Sequence, residues 1–158
     1  MKPRSKQFAF IAIFIAAIVI AVACIFIAIA VSGFKAAVRA ANEEAAIKTL
    51  QTIAEQQKYY YDANRRDKFG TFDEMLAGQL LDTRFAGTTP VVDGYVYSMR
   101  VVQNSTTTHA GFVVNADPLV TDGIGATGKN HFYLDSNSNT IHVNATQPAT
   151  AADPLIGQ

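Results

Sequence analysis

The side chains best suited to metal ligation or proton transfer are the three histidines, His109, His131 and His142. His131-Phe132-Tyr133-Leu134 and Ile141-His142-Val143 read as two strands of a hairpin. His131 and His142 could therefore face one another and supply part of a zinc site; the alternative is two solvated strand residues. Between them, Asp135-Ser136-Asn137-Ser138-Asn139 has the Asp-x-Asn-x-Asn opening of a calcium loop. Thr140 and Thr146 stand where such a loop needs a glycine and a glutamate, so a hairpin turn is the better account. Gly123, Gly125 and Gly128 have the spacing of a dinucleotide fingerprint. They do not open a helix after a strand in a βαβ unit, so they read as a loop. Asn104-Ser105-Thr106 and Asn144-Ala145-Thr146 match the N-glycosylation pattern, which arises often by chance. The lone Cys24 can form no intrachain disulfide and no Cys-rich zinc site. No motif supplies the cluster of positioned groups that catalysis needs. The expectation is a non-enzyme with no catalytic residue, no metal, no cofactor and no small-molecule substrate.

The elements that would position these residues begin with an anchor. Phe8 to Val31 carries no charged residue. As a helix its 24 residues span about 36 Å, more than the hydrocarbon core of a bilayer. Lys2, Arg4 and Lys6 precede it, so the positive-inside rule puts the N-terminus in the cytoplasm and the remainder outside. A cleaved signal peptide with Ala28-Ile29-Ala30 as its cleavage site competes with this reading, but the run exceeds the usual h-region. A lipoprotein signal ending at Cys24 fits less well, because Ile25-Phe26-Ile27 continues the apolar run. Within the span, Ala12 and Ala16, then Ala17 and Ala21, are four apart, a spacing that lets helices approach closely. These four are the candidate helix-packing residues. The bland alternative is that alanine is simply common here.

About 125 residues follow, enough for one compact domain. The chain has 13 basic and 13 acidic side chains, a balance with no basic excess to suggest a nucleic-acid partner. The span is expected to continue as an amphipathic helix to about Tyr61, with Val38, Ala41, Ala45, Ile47, Leu50, Ala54 and Tyr61 as its apolar stripe. Tyr59-Tyr60-Tyr61 point around that helix, so two are expected buried and one at the rim, unless one serves a protein contact. Thr71 and Glu74 form a capping-box pattern for a short helix over Phe72 to Leu76, stopped by Gly78. Strands are expected over Tyr95 to Val102, Phe112 to Val114, His131 to Leu134 and Ile141 to Val143. The parts are a basic leader (1–7), a transmembrane helix (8–32), its amphipathic continuation (33–61), a globular α+β domain (62–143) and a flexible tail (144–158).

This order resembles a type IV pilin or pseudopilin. The matching text is Ala41-Asn42-Glu43-Glu44-Ala45, Leu50-Gln51-Thr52-Ile53, Gln57-Lys58-Tyr59-Tyr60, Phe69-Gly70-Thr71-Phe72, Leu76, Leu80-Leu81-Asp82, Gly94-Tyr95, Gly111-Phe112 and His131-Phe132-Tyr133-Leu134-Asp135. The resemblance covers about Phe34 to Val143. It implies a long helix packed on an antiparallel meander of three to four strands. It also implies a structural subunit or accessory of a pilus or secretion-type assembly in a bacterial inner membrane. The partners would be the membrane and further copies of itself or of other pilin-like subunits. The family's glycine before a mature phenylalanine, and its glutamate early in the mature chain, are replaced by Gln7 and Ala12. That departure keeps open a second reading, an unprocessed single-span protein whose outer domain binds a protein.

Overall fold

The computed structural model describes residues 4–123 and 125–157, so Lys2 lies outside the described residues. The chain divides into two compact units, Met1–Val38 and Arg39–Gln158. Helix α1 covers Arg4–Ala63, with no proline to interrupt it. Arg4 and Lys6 lie in its first turn. In the first unit the helix is apolar and bare: Phe10, Phe14, Ile20 and Phe26 are all more than half exposed. It is the one helix among the described residues long and apolar enough to cross a membrane.

In the second unit the same helix becomes amphipathic. Ala46, Leu50, Ile53 and Gln57 are fully buried, at the i, i+4, i+7, i+11 spacing of one helical face. This face lies beside the expected one. Leu50 is on it, Ile47 and Ala54 pack at its flank, and Val38 and Ala41 are exposed. Ala46 and Ile53 are apolar yet lie off the expected stripe, because this alanine-rich helix offers apolar residues on more than one face. Gln57 is polar, and no count of apolar side chains would include it.

Five strands follow: β1 (Val91–Val92), β2 (Tyr95–Val102), β3 (Gly111–Pro118), β4 (His131–Asp135) and β5 (Ile141–Asn144). They form one antiparallel meander in chain order. The fold is therefore α+β, with five strands and not three or four. Strand β1 escaped sequence reading because it is only two residues long. Asp93 and Gly94 link it to β2 with φ of 49° and 79°, the positive values a two-residue hairpin loop demands.

One face of the sheet is apolar. Tyr95, Tyr97, Phe112, Val114, Ala116, Phe132, Leu134 and Ile141 join Leu50 and Ile53 in a single core. Each large side chain so buried contributes about 1.5–3 kcal/mol. The short helix α2 (Phe72–Ala77) starts on the expected capping box. The Thr71 hydroxyl accepts from the Glu74 amide, and the Glu74 carboxylate accepts from the Thr71 amide. Phe72 and Met75 turn inward from it.

The segment after Asn144, read from its composition as a tail, is tied to the sheet. The Val143 amide donates to the Pro154 carbonyl and the Ile156 amide to the Ile141 carbonyl, both at 2.9 Å. Ala149 is buried, and its carbonyl accepts from the Asn115 side chain. The segment thus covers the outer edge of β5 and reaches across the polar face.

Candidate functional site

A groove of about 780 Å³ lies within the second unit. One wall is the flank of α1 (Gln51, Ala54, Glu55, Lys58 and Tyr61), and the other is the β4–β5 turn with Leu155 and Ile156. Its floor is aromatic. Tyr61 stacks on Phe69 with centroids 4.5 Å apart, and Phe69 meets Phe112 edge-on at 5.0 Å. The volume suits a small ligand or a few side chains of a partner. Glu55, Lys58 and Tyr61 are the titratable groups on its lining, and no nucleophile is paired with a base there. Its aromatic floor is shaped for an apolar or aromatic group. Its residues come from five separate stretches of chain, so no local motif announces it.

The two hairpin histidines share the polar face of the sheet but do not meet as a site. The register sets His131 opposite Asn144 and His142 opposite Tyr133. His131 Nδ1 lies 2.6 Å from Asp117 Oδ1, and His142 Nδ1 lies 2.6 Å from the Asp153 carbonyl. Among the described residues, no group of three or more His, Cys, Asp or Glu side chains is placed to hold a metal ion. His109 is exposed in the β2–β3 loop.

Asp135 serves the turn. Its Oδ1 accepts from the Asn137 amide, the Ser138 amide and the Ser138 hydroxyl, and its Oδ2 from Tyr133. Burial pushes this carboxyl up, but the bonds from Ser138, Tyr133 and Asn137 outweigh it and hold it below the usual range. The Tyr133 hydroxyl is pushed the other way, by burial and by the bond to Asp135.

The glycine-rich segment is fastened to α1. The Glu43 carboxylate accepts from the Lys129 amide at 2.8 Å and from the Asn130 side chain at 2.7 Å. Asn42 donates to the Thr127 carbonyl and Arg39 to the Gly123 carbonyl. Gly128 is required because the Tyr95 ring occupies the place of any side chain there. The Tyr95 hydroxyl donates to the Asn130 carbonyl, and burial, then the Glu43 charge, raises its pKa. Only Gly128 serves close packing, against the Tyr95 ring; Gly123 takes a positive φ of 83°, and a side chain at Gly123 or Gly125 would meet open space.

Of the three consecutive tyrosines, Tyr59 is 65% exposed, Tyr60 lies over Gly70 and Lys68, and Tyr61 joins the groove. Ala12, Ala16, Ala17 and Ala21 are exposed on α1. Gln57 was not singled out by sequence reasoning. It is fully buried, donates to the Gly70 carbonyl at 2.6 Å and accepts from the Gly70 amide at 2.9 Å. No protein-family model, curated protein or solved structure matches the chain.

Proposed function

We propose that the protein is a membrane-anchored, pilin-like structural subunit or accessory of a type IV pilus or secretion-type assembly. The observation that carries this reading is α1. One helix is bare and apolar in its first unit and supplies a buried face to an α+β core in its second. A bare apolar helix needs lipid or other helices around it. The exposed Ala12, Ala16, Ala17 and Ala21 would let a second helix approach closely. Lys2, Arg4 and Lys6 support a cytoplasmic N-terminus in a bacterial inner membrane, with the sheet displayed outside. The aromatic floor of the groove would suit a contact with a neighbouring subunit.

Gln7 and Ala12 favour the second reading, an uncleaved tether carrying a protein-binding domain. Intact mass separates the two. A mass lacking residues 1–7, in a sheared surface fraction, is the result expected of a filament subunit. A full-length mass confined to the membrane would overturn it and leave the tethered domain.

A further inference from the structure

The two edges of the sheet are treated differently. The edge of β5 is closed by the C-terminal segment through Val143, Pro154, Ile156 and Ile141. The opposite edge is closed only in part. Strand β1 pairs with Tyr95 and Val96, and the Tyr97 amide donates to the Pro90 carbonyl. The segment before Pro90 no longer pairs with β2, so beyond Tyr97 this side of β2 has no strand beside it among the described residues.

Backbone groups alternate in direction along a strand. The Tyr97 amide points away from β3, so those of Met99 and Val101 do too. The other side agrees. The Ser136 amide bonds to the Phe112 carbonyl, so Phe112 faces β4, and Val113 and Gly111 face β2 opposite Arg100 and Val102. Two N–H and two C=O groups, those of Met99 and Val101, are thus aimed at the open edge. Among the described residues none is hydrogen bonded to them there. Backbone groups unpaired within a folded chain are as a rule satisfied by water, and Arg100 in the middle of this stretch is exposed.

The side chains define what fits. Met99 and Val101 lie on the core face, half-buried against it. Arg100 lies between them on the polar face, exposed and with no ion-pair partner among the described residues. We propose that the Met99–Val101 edge receives an extended segment of a partner protein with an acidic residue between two apolar ones. The segment would add as a sixth, antiparallel strand. Residues opposite Met99 and Val101 would exchange four backbone hydrogen bonds with them. The residue opposite Arg100 would sit in a non-hydrogen-bonded pair, where side chains come closest. A second copy of this edge fits less well, because two-fold pairing centred on Arg100 would set two arginines face to face. The inference is independent of whether the chain assembles into a filament.

The test uses the full chain in detergent micelles and two capped pentapeptides, Thr-Val-Glu-Val-Thr and Thr-Val-Lys-Val-Thr. Amide exchange is followed residue by residue by NMR at millimolar peptide. The Glu peptide is expected to slow exchange at Met99 and Val101, about tenfold at 90% occupancy. It is expected to bind about two- to fivefold more tightly than the Lys peptide. R100E, a substitution at an exposed position, is expected to reverse that order. Absence of protection at Met99 and Val101 would overturn the proposal. So would equal binding of the two peptides that R100E leaves equal. Protection that rises with protein concentration and needs no peptide would also overturn it, in favour of a second copy.

Discussion

The bond between Gln57 and Gly70 offers the sharpest test of how the helix holds its domain. Gln57 presents one donor and one acceptor to Gly70 and uses both, at 2.6 and 2.9 Å. Its nitrogen also lies 3.1 Å from the Met99 sulfur. Both Gln57 and Gly70 are buried. Gln57→Leu keeps most of the volume, so little cavity forms, but it leaves the Gly70 amide and carbonyl unpaired away from water. Each orphaned group costs about 1–3 kcal/mol. Some of that is returned by the more apolar side chain, leaving an expected net loss of about 2–4 kcal/mol. The assay is urea unfolding of the full chain in detergent micelles, followed by near-ultraviolet tyrosine dichroism. With a slope of about 1–2 kcal/mol per molar, the midpoint should fall by at least about 1 M. A loss below about 0.5 kcal/mol, with the Gly70 amide still protected from exchange, would refute the assignment of this pair as an internal tie.

Two further substitutions test the titrating groups. The Tyr97 hydroxyl is buried near Thr49 without a hydrogen bond of good geometry among the described residues, and burial, only partly opposed by Thr49, pushes its pKa up to about 12. Because the folded value lies above the ordinary 10.0, its stabilising share is whole below pH 10 and is lost as pH rises toward 12. Tyr97→Phe should therefore be neutral or stabilising by up to about 1–2 kcal/mol, with a flatter alkaline limb in the unfolding midpoint. Asp135 runs the opposite way. Its folded pKa is depressed, so its share is present above the ordinary 3.8 and lost as pH falls through the lower folded value. Asp135→Asn should lower the midpoint at neutral pH and flatten the acid limb; an unchanged acid limb would contradict the hydrogen-bond account.

Local sequence determined much of this protein. An uncharged run long enough for lipid can only be a helix there, because every backbone group must bond within its own segment. Thr71 and Glu74 specify the start of α2 from four residues alone. The four longer strands follow from short β-branched and aromatic runs set between turn residues. Tertiary structure decided what depends on residues far apart in the chain. The sheet selects which face of α1 is buried, taking Ala46 and Ile53 beside the expected stripe, and Gln57 is an interior residue only because Gly70 comes to meet it. The glycine-rich segment reads as a loop by sequence; its Thr127, Lys129 and Asn130 are held by Asn42, Glu43 and Tyr95, and Gly128 leaves room for the Tyr95 ring. The last dozen residues have a composition that predicts mobility. Pro154 and Ile156 nonetheless bond to β5, because that strand offers an unsatisfied edge and backbone hydrogen bonding is indifferent to side-chain type. The same physics leaves the backbone groups of Met99 and Val101 without a partner on the other side, among the described residues. Which edge is closed is a property of the assembled sheet, and no window of sequence carries it.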